Sequence, residues 1–223
     1  MALSFKINIK HIEDKMYYGQ FELDRVLYET FFRDKKNGFF VECGAFDGLS
    51  ECTCKFFEES MEWKGINIEP TPYAYGRLIQ NRPRSINENY ALSSKAGKST
   101  FTNALHPDLG IHFGNGSLNH TQAHKDELIA TGCKFETFEV NCIKFIDLYN
   151  KHNLPNIDLF VLDVEGHELE ALEGILEIPT EALPTVFCIE HTITGNDNLV
   201  HMLSTNYSFH SKYAHNAFFV KKI

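Results

Sequence analysis

An α/β domain with a mostly parallel sheet and a closing antiparallel hairpin is predicted by three observations. Short apolar runs alternate with segments of helical spacing from residue 21 to residue 190. Such alternation marks parallel strands joined by crossover helices. The run IDLFVLD, residues 157–163, is almost wholly apolar, as a strand covered on both faces is. The tail YSFHSKYAHNAFFVKK, residues 207–222, reads as two strands with a turn near His215 and Asn216. They lie too close for a helical crossover, so they must pair antiparallel.

Each element follows from its own pattern. FELDRVLYETFFR, 21–33, puts Leu23, Val26, Leu27 and Phe31 on one helical stripe, and Lys35, Lys36, Asn37 and Gly38 end it. Residues 39–43 form a short buried strand, and Ser50 to Glu59 a helix with Phe56 and Phe57 inward. GINIE, 65–69, is the second strand. Pro70 and Pro72 flank the start of a helix carrying Tyr73, Leu78 and Ile79, since proline fits a first turn. Residues 85–92 read as a third strand and 98–102 as a further short one. LHPDLGIHFGNGSL, 105–118, has three glycines, a proline and no period, and is predicted as a long loop, of the kind that is functional or disordered. A polar helix over 119–131, a strand over 134–140 and a helix over 143–151 with Ile143, Ile146 and Leu148 inward come next. After strand 157–163 a helix runs through Leu169, Leu172 and Ile175, and TVFCIE, 185–190, is the next buried strand. One domain over 1–223 is expected, with an N-terminal helical segment, 1–37, and a core, 38–223.

Composition narrows the function. The net charge is −9 and no run of lysine and arginine exceeds two, which argues against a nucleic-acid groove. No apolar run approaches the ~20 residues of a membrane span. MALSFKINIKHIEDK has no apolar core, so no secretory signal is expected. The cysteines are Cys43, Cys52, Cys54, Cys133, Cys142 and Cys188, with no C-x-x-C pair and most of them in apolar runs. Reduced thiols in a cytoplasmic protein are the expectation.

Four strands end on acids: Glu42, Glu69, Asp163 and Glu190. Ligands of open α/β sheets bind outside the carboxyl ends of the strands. Glycines after the first strand, Gly44 and Gly48, let backbone pass close to a ligand. Glu69 follows Glu42 by 27 residues, at the end of the next strand, where nucleotide-binding folds place the acid that holds ribose hydroxyls. G-A-F-D-G is neither the G-x-G-x-x-G of dinucleotide sites nor a P-loop. With no phosphate cradle, a nucleoside without phosphates fits better, and S-adenosylmethionine is the common one.

At this point the sequence resembles the FkbM-type S-adenosylmethionine-dependent methyltransferases. The matching blocks are FFVECGAFDGLSECT, WKGINIEPTPYAYGRLIQNRP, NYALSSKAGKSTF and IDLFVLDVEGHELEALEGI, in that order. They fall between residues 38 and 190, and YYGQFELDRVLYETFF is similar to the helix that precedes the first block in some members. The resemblance implies a Rossmann-like, seven-stranded class I methyltransferase fold and S-adenosylmethionine as cofactor. It implies that Glu42, Gly44, Phe46, Asp47, Gly48 and Ser50 form the first cofactor loop, with Phe46 in place of a middle glycine. Glu69 would hold the ribose, Pro70 would shape the turn, and Asn89 and Tyr90 would line the adenine pocket. Asp163 would sit by the sulfonium methyl, with Glu165, His167 and Glu168 opening the next helix. The activity implied is methyl transfer by direct displacement to a hydroxyl of a small molecule, sugar or glycan. Asp163 or His191 is then the expected base, since a hydroxyl must lose its proton.

Structural readings stand beside these. Glu42 and Glu168 could cap helices, Glu190 could anchor a loop, His167 could be solvated, and His191 could be a hydrogen-bonded core residue. His106, His112, His120 and His124 match no zinc spacing. Asp163, Glu165 and His167 alternate without being forced to converge, so no metal is expected. Two other functions fit the fold: an interaction module without catalysis, and a nicotinamide-dependent oxidoreductase. The intact Glu42, Glu69 and Asp163 set opposes the first, and the missing phosphate loop opposes the second.

Overall fold

The computed structural model describes residues 16–223. Residues 1–15 of the expected N-terminal helical segment, and the leader reading made on them, lie outside the described residues. Among the described residues, eleven strands and seven α-helices follow in chain order. The strands are β1 Phe39–Cys43, β2 Lys64–Ile68, β3 Ile86–Glu88, β4 Ala91–Leu92, β5 Gly97–Leu105, β6 Gly116–Ser117, β7 Lys134–Ile143, β8 Leu159–Leu162, β9 Val186–Glu190, β10 Tyr207–Tyr213 and β11 Asn216–Lys221. The helices are α1 Leu23–Phe31, α2 Lys55–Ser60, α3 Pro72–Asn81, α4 Gln122–Ala130, α5 Phe145–His152, α6 Glu168–Ile175 and α7 Asn196–Leu203.

Seven strands form the main sheet in the order β10-β11-β9-β8-β1-β2-β3. All pairs from β9 to β3 are parallel, and the C-terminal hairpin adds two antiparallel strands at one edge. The period of two in a strand divides the core. Val41 and Cys43 pack with Phe160, Leu162 and Phe187 against Phe145, Leu172 and Ile175. Phe40 points the other way, into a layer with Leu27, Phe56, Phe57 and Trp63. Glu42 falls on that second face. All six cysteines are free thiols, and all are buried. Among the described residues no helix is long and apolar enough to cross a membrane.

The structure departs from the sequence expectations in the middle of the chain. The strand expected over 85–92 breaks at Asn89–Tyr90. Its first part is β3, and its second, β4, enters a separate four-stranded sheet of order β4-β7-β5-β6. β5 and β7 pair antiparallel along nine residues, from Gly97–Cys142 to Leu105–Lys134. That long ladder explains why Phe101 and Phe138 face one another, with ring centroids 5.6 Å apart. Ile143 ends β7 instead of starting α5. The 105–118 segment is more ordered than expected: His106 bridges to Gly110, a 3₁₀ turn covers Ile111–Phe113, and β6 pairs with β5. The helix expected from Ser50 starts at Lys55, because Glu51 takes a left-handed φ of 53°. Helix α7 was not legible in the pattern; it buries only Leu199 and Leu203.

Candidate functional site

Chain order reverses between β1 and β8, with β2 and β3 on one side and β9 on the other. Such a reversal opens a crevice at the carboxyl ends of the strands. Gly44 takes φ +84° there, and a Cβ on it would lie 1.9 Å from the carbonyl oxygen of Asp163. The loops after β1 and β8 therefore touch, and only glycine allows it. Beside them opens a cleft of about 950 Å³. The carboxyl edge of the main sheet forms one wall, and Phe101, Phe138 and Phe113 of the second sheet and its loops form part of the other.

The first loop is held from behind. The Asp47 carboxylate accepts the N–H groups of Leu49 (3.0 Å) and Ser50 (2.7 Å) and the Ser50 hydroxyl (3.0 Å). Burial would raise this carboxyl, but those donors, with Arg77 nearby, outweigh it and hold it below the usual carboxylate range. Gly44, Phe46 and Ser50 line the cleft; Asp47 and Gly48 shape the loop without lining it.

Glu42 does other work than expected. Its Oε1 accepts the Cys54 N–H at 2.8 Å, and its Oε2 the Cys52 thiol at 2.9 Å and Arg82 Nη1 at 3.3 Å. Arg82, 1% exposed, also pairs through Nε with Glu58. Strand alternation turns Glu42 into this buried network and away from the cleft.

Glu69 lines the cleft at the end of β2. It accepts the Phe46 N–H at 3.0 Å through one oxygen and, through the other, the Thr71 N–H at 2.8 Å and hydroxyl at 2.6 Å. Burial raises its pKa, and those donors offset part of the shift. Pro70 also lines the cleft. Asn89 and Tyr90 do not. The Asn89 amide ties β3 to the end of β2 through the Glu69 and Pro70 carbonyls, at 2.8 and 3.0 Å. Ala91 and Leu92 take the lining position instead.

On the far side of the reversal, Asp163, Glu165, His167 and Glu190 line the cleft. Burial raises the Asp163 carboxyl well above its ordinary range, and Glu190 and Glu168 add to the shift. Glu165 is raised likewise, by burial and then by Asp163 and Glu190. Burial lowers the pKa of His167, whose Nε2 lies 3.1 Å from the Ser93 hydroxyl. Glu168 is fully buried and braces the loop: Oε1 accepts the N–H groups of Val164 and Gly166, and Oε2 the Thr194 hydroxyl. Glu190 is 8% exposed; Oε1 accepts the Thr192 N–H at 3.2 Å, and Oε2 has no partner among the described residues. His191 lies off the cleft, with its N–H on the His215 carbonyl at 2.9 Å. It follows Glu190 immediately, and at the end of β9 it is Glu190 that the cleft receives.

His124 enters from α4, with Nε2 4.0 Å from Glu165 Oε2 and Nδ1 3.2 Å from His120 Nδ1. Burial lowers both histidines, His120 to about 4. Sequence reasoning missed His124, Leu92, Phe101 and Phe138 as lining residues. The one signal for Phe101 and Phe138 was strand alternation over 98–102 and 134–140, which could not say that these strands build a wall of their own.

The fold is that of the class I S-adenosylmethionine-dependent methyltransferases. A crystal structure of Methyltransferase FkbM from Methylobacillus flagellatus KT superposes with a TM-score of 0.51 at 15% identity, covering 86% of this chain and 47% of that one. A TehB-like SAM-dependent methyltransferase from Corynebacterium glutamicum gives 0.45 at 10% identity, over 89% and 86% of the two chains. Residues 42–206 match the methyltransferase FkbM domain, and the chain belongs to that family. S-adenosylmethionine is the cofactor that goes with this family. The hexuronic acid methyltransferase AglP of Haloferax volcanii is 28% identical over 163 residues, 70% of this chain and 56% of that protein. The chain thus spans little more than half the length of this curated relative.

Proposed function

We propose that this protein transfers a methyl group from S-adenosylmethionine to a hydroxyl of a sugar or glycan. One observation carries the reading: Glu69 and Asp163 face one cleft from opposite sides of the β1/β8 reversal. The residues present fit the donor. A buried carboxylate follows β2 as Glu69, and no lysine or arginine lines the cleft among the described residues. Gly44, Phe46 and Ser50 would border the methionine part, Glu69 would accept the ribose hydroxyls, and Leu92 would border the base. When bound, the donor supplies a sulfonium methyl whose C–S electron pair passes to sulfur as the acceptor oxygen forms the new O–C bond.

The chain's own contribution is position and proton transfer. The Phe46 N–H fixes the Glu69 carboxylate, and Glu168 fixes the loop that carries Asp163 and Glu165. Holding both reactants in line supplies most of what such a displacement needs. Asp163 and Glu165 take over from His191 as base candidates: both line the cleft, and the burial that raises their pKa values makes each carboxylate a stronger base. The sugar acceptor is supported by the activity for which the Haloferax volcanii relative is named. Calorimetry with S-adenosylmethionine, S-adenosylhomocysteine and NAD tests the donor, and transfer of label from methyl-tritiated donor to neutral, amino and acidic oligosaccharides tests the acceptor. Binding of the first two compounds and not NAD, with label in a sugar, is expected; binding of NAD alone overturns the reading.

A further inference from the structure

The acceptor end of the cleft has a chemistry of its own. Carboxylates recur along the lining, and the described lining residues include neither lysine nor arginine. Lys98 reaches only Glu139, in an exposed pair at the surface. His124 lies 4.0 Å from Glu165, and burial favours its neutral form. Glu190 is more than nine-tenths buried, lines the cleft, and leaves Oε2 without a hydrogen-bond partner among the described residues. A buried carboxylate oxygen with no donor is costly unless a ligand supplies one. Among the described residues, no group of three His, Cys, Asp or Glu side chains is arranged to hold a metal ion. The missing partner is thus better supplied by an organic donor.

Position separates this end from the donor end. Asp163 adjoins Gly44 at the reversal, where the donor lies under the proposed function. Glu165 reaches toward His124, on the helix of the second layer. Phe101, Phe113 and Phe138 stand on that wall. Aromatic faces beside carboxylates suit a sugar ring bearing a protonated amine: the rings take its C–H face or its cation, and the acids take the N–H donors. A hexuronate would bring a further negative charge to a lining whose described residues include several carboxylates and no lysine or arginine.

Resting on the methyltransferase reading above, we propose that the acceptor is an amino sugar, and that Glu190 with Glu165 receives its ammonium group. This would set the chain's substrate class apart from that named for its Haloferax volcanii relative. The probes are three trisaccharide-sized compounds of different charge: kanamycin, maltotriose and trigalacturonate. Each is titrated by calorimetry into the S-adenosylhomocysteine-saturated protein near neutral pH. Kanamycin should bind at least about tenfold more tightly than maltotriose, the scale of one charge-assisted hydrogen bond. Trigalacturonate should bind more weakly than either. Glu190→Gln should bring kanamycin to within about threefold of maltotriose while leaving S-adenosylhomocysteine affinity within the same margin. Glu165→Gln provides the same comparison if the first variant does not fold.

Equal affinity for the three probes overturns the proposal, and so does a preference that survives both substitutions, since that would be attraction to the protein's net negative charge. A parallel loss of S-adenosylhomocysteine binding in Glu190→Gln overturns it too, by assigning Glu190 to the donor's own ammonium. Failure of wild-type protein to bind S-adenosylhomocysteine removes the donor assignment and this proposal together; indifference to acceptor charge with the donor product bound removes only this one.

Discussion

A Cβ added to Gly44 would lie 1.9 Å from the carbonyl oxygen of Asp163. The contact is backbone against backbone, so no side-chain rotation can relieve it. The φ of +84° at Gly44 adds a second penalty for any other residue. Gly44→Ala should therefore force β1 and β8 apart at the cleft, lower the melting temperature and weaken S-adenosylhomocysteine binding at least about tenfold, the scale of one lost charge-assisted contact. Thermal melts and calorimetry measure both. Unchanged values in both would show that the two loops do not touch.

Glu69→Ala should leave the protein folded and weaken S-adenosylhomocysteine binding. Loss of hydrogen bonds to a charged acceptor costs about 1.5–3 kcal/mol, or roughly 10- to 150-fold in affinity. Part of that loss comes through the Phe46 N–H, which Glu69 also holds. A folded variant with the parent dissociation constant would remove Glu69 from the donor site.

Arg82→Met tests the network beneath the first loop. The substitution leaves Glu42 buried without its cation and Glu58 with only Arg84, 3.5 Å away, and breaking a buried pair in this way costs about 3–5 kcal/mol. Urea unfolding should show a loss of that size. Donor-product affinity, measured on the folded fraction, should move by much less than for Glu69→Ala. Undiminished stability would mean that the guanidinium contributes nothing there.

Much of this was legible in the sequence, and the limits have physical causes. The main-sheet strands announce themselves because central parallel strands are apolar on both faces. Glu69, Asp163, Gly44 and Ser50 were legible as residues of the cleft because a strand end followed by a loop is a local pattern. Glu42 was misplaced because its role depends on Arg82, forty residues on. Leu92 was missed in favour of Asn89 and Tyr90 because the break between β3 and β4 is decided by tertiary pairing. The second sheet was hidden for the same reason: β5 and β7 each read as ordinary strands, and nothing local says which sheet they join.

The pH dependence of stability gives a further test. The folded-state pKa values of Asp163 and Glu165 are raised, so the folded chain keeps a proton that the unfolded chain has already released. Between the ordinary carboxylate range and the raised values the folded state binds more protons, and stability falls as pH rises. Glu165→Gln removes that loss. Relative to wild type, the variant should gain melting temperature as pH climbs from the ordinary carboxylate range toward neutrality, measured without donor. A difference that stays flat, or shrinks, would show that Glu165 titrates normally.

The buried thiols have one more consequence. Burial pushes Cys43, Cys52, Cys54, Cys142 and Cys188 up, away from the reactive thiolate form. Alkylating reagents therefore meet these sulfurs chiefly when the structure opens. Cys52 and Cys54 sit under the first loop, whereas Cys142 packs with Ala91, Phe101 and Val140 in the second sheet. The unmodified chain thus carries its own chemical reporters, able to time the breathing of the main-sheet wall and the second-sheet wall of the cleft separately.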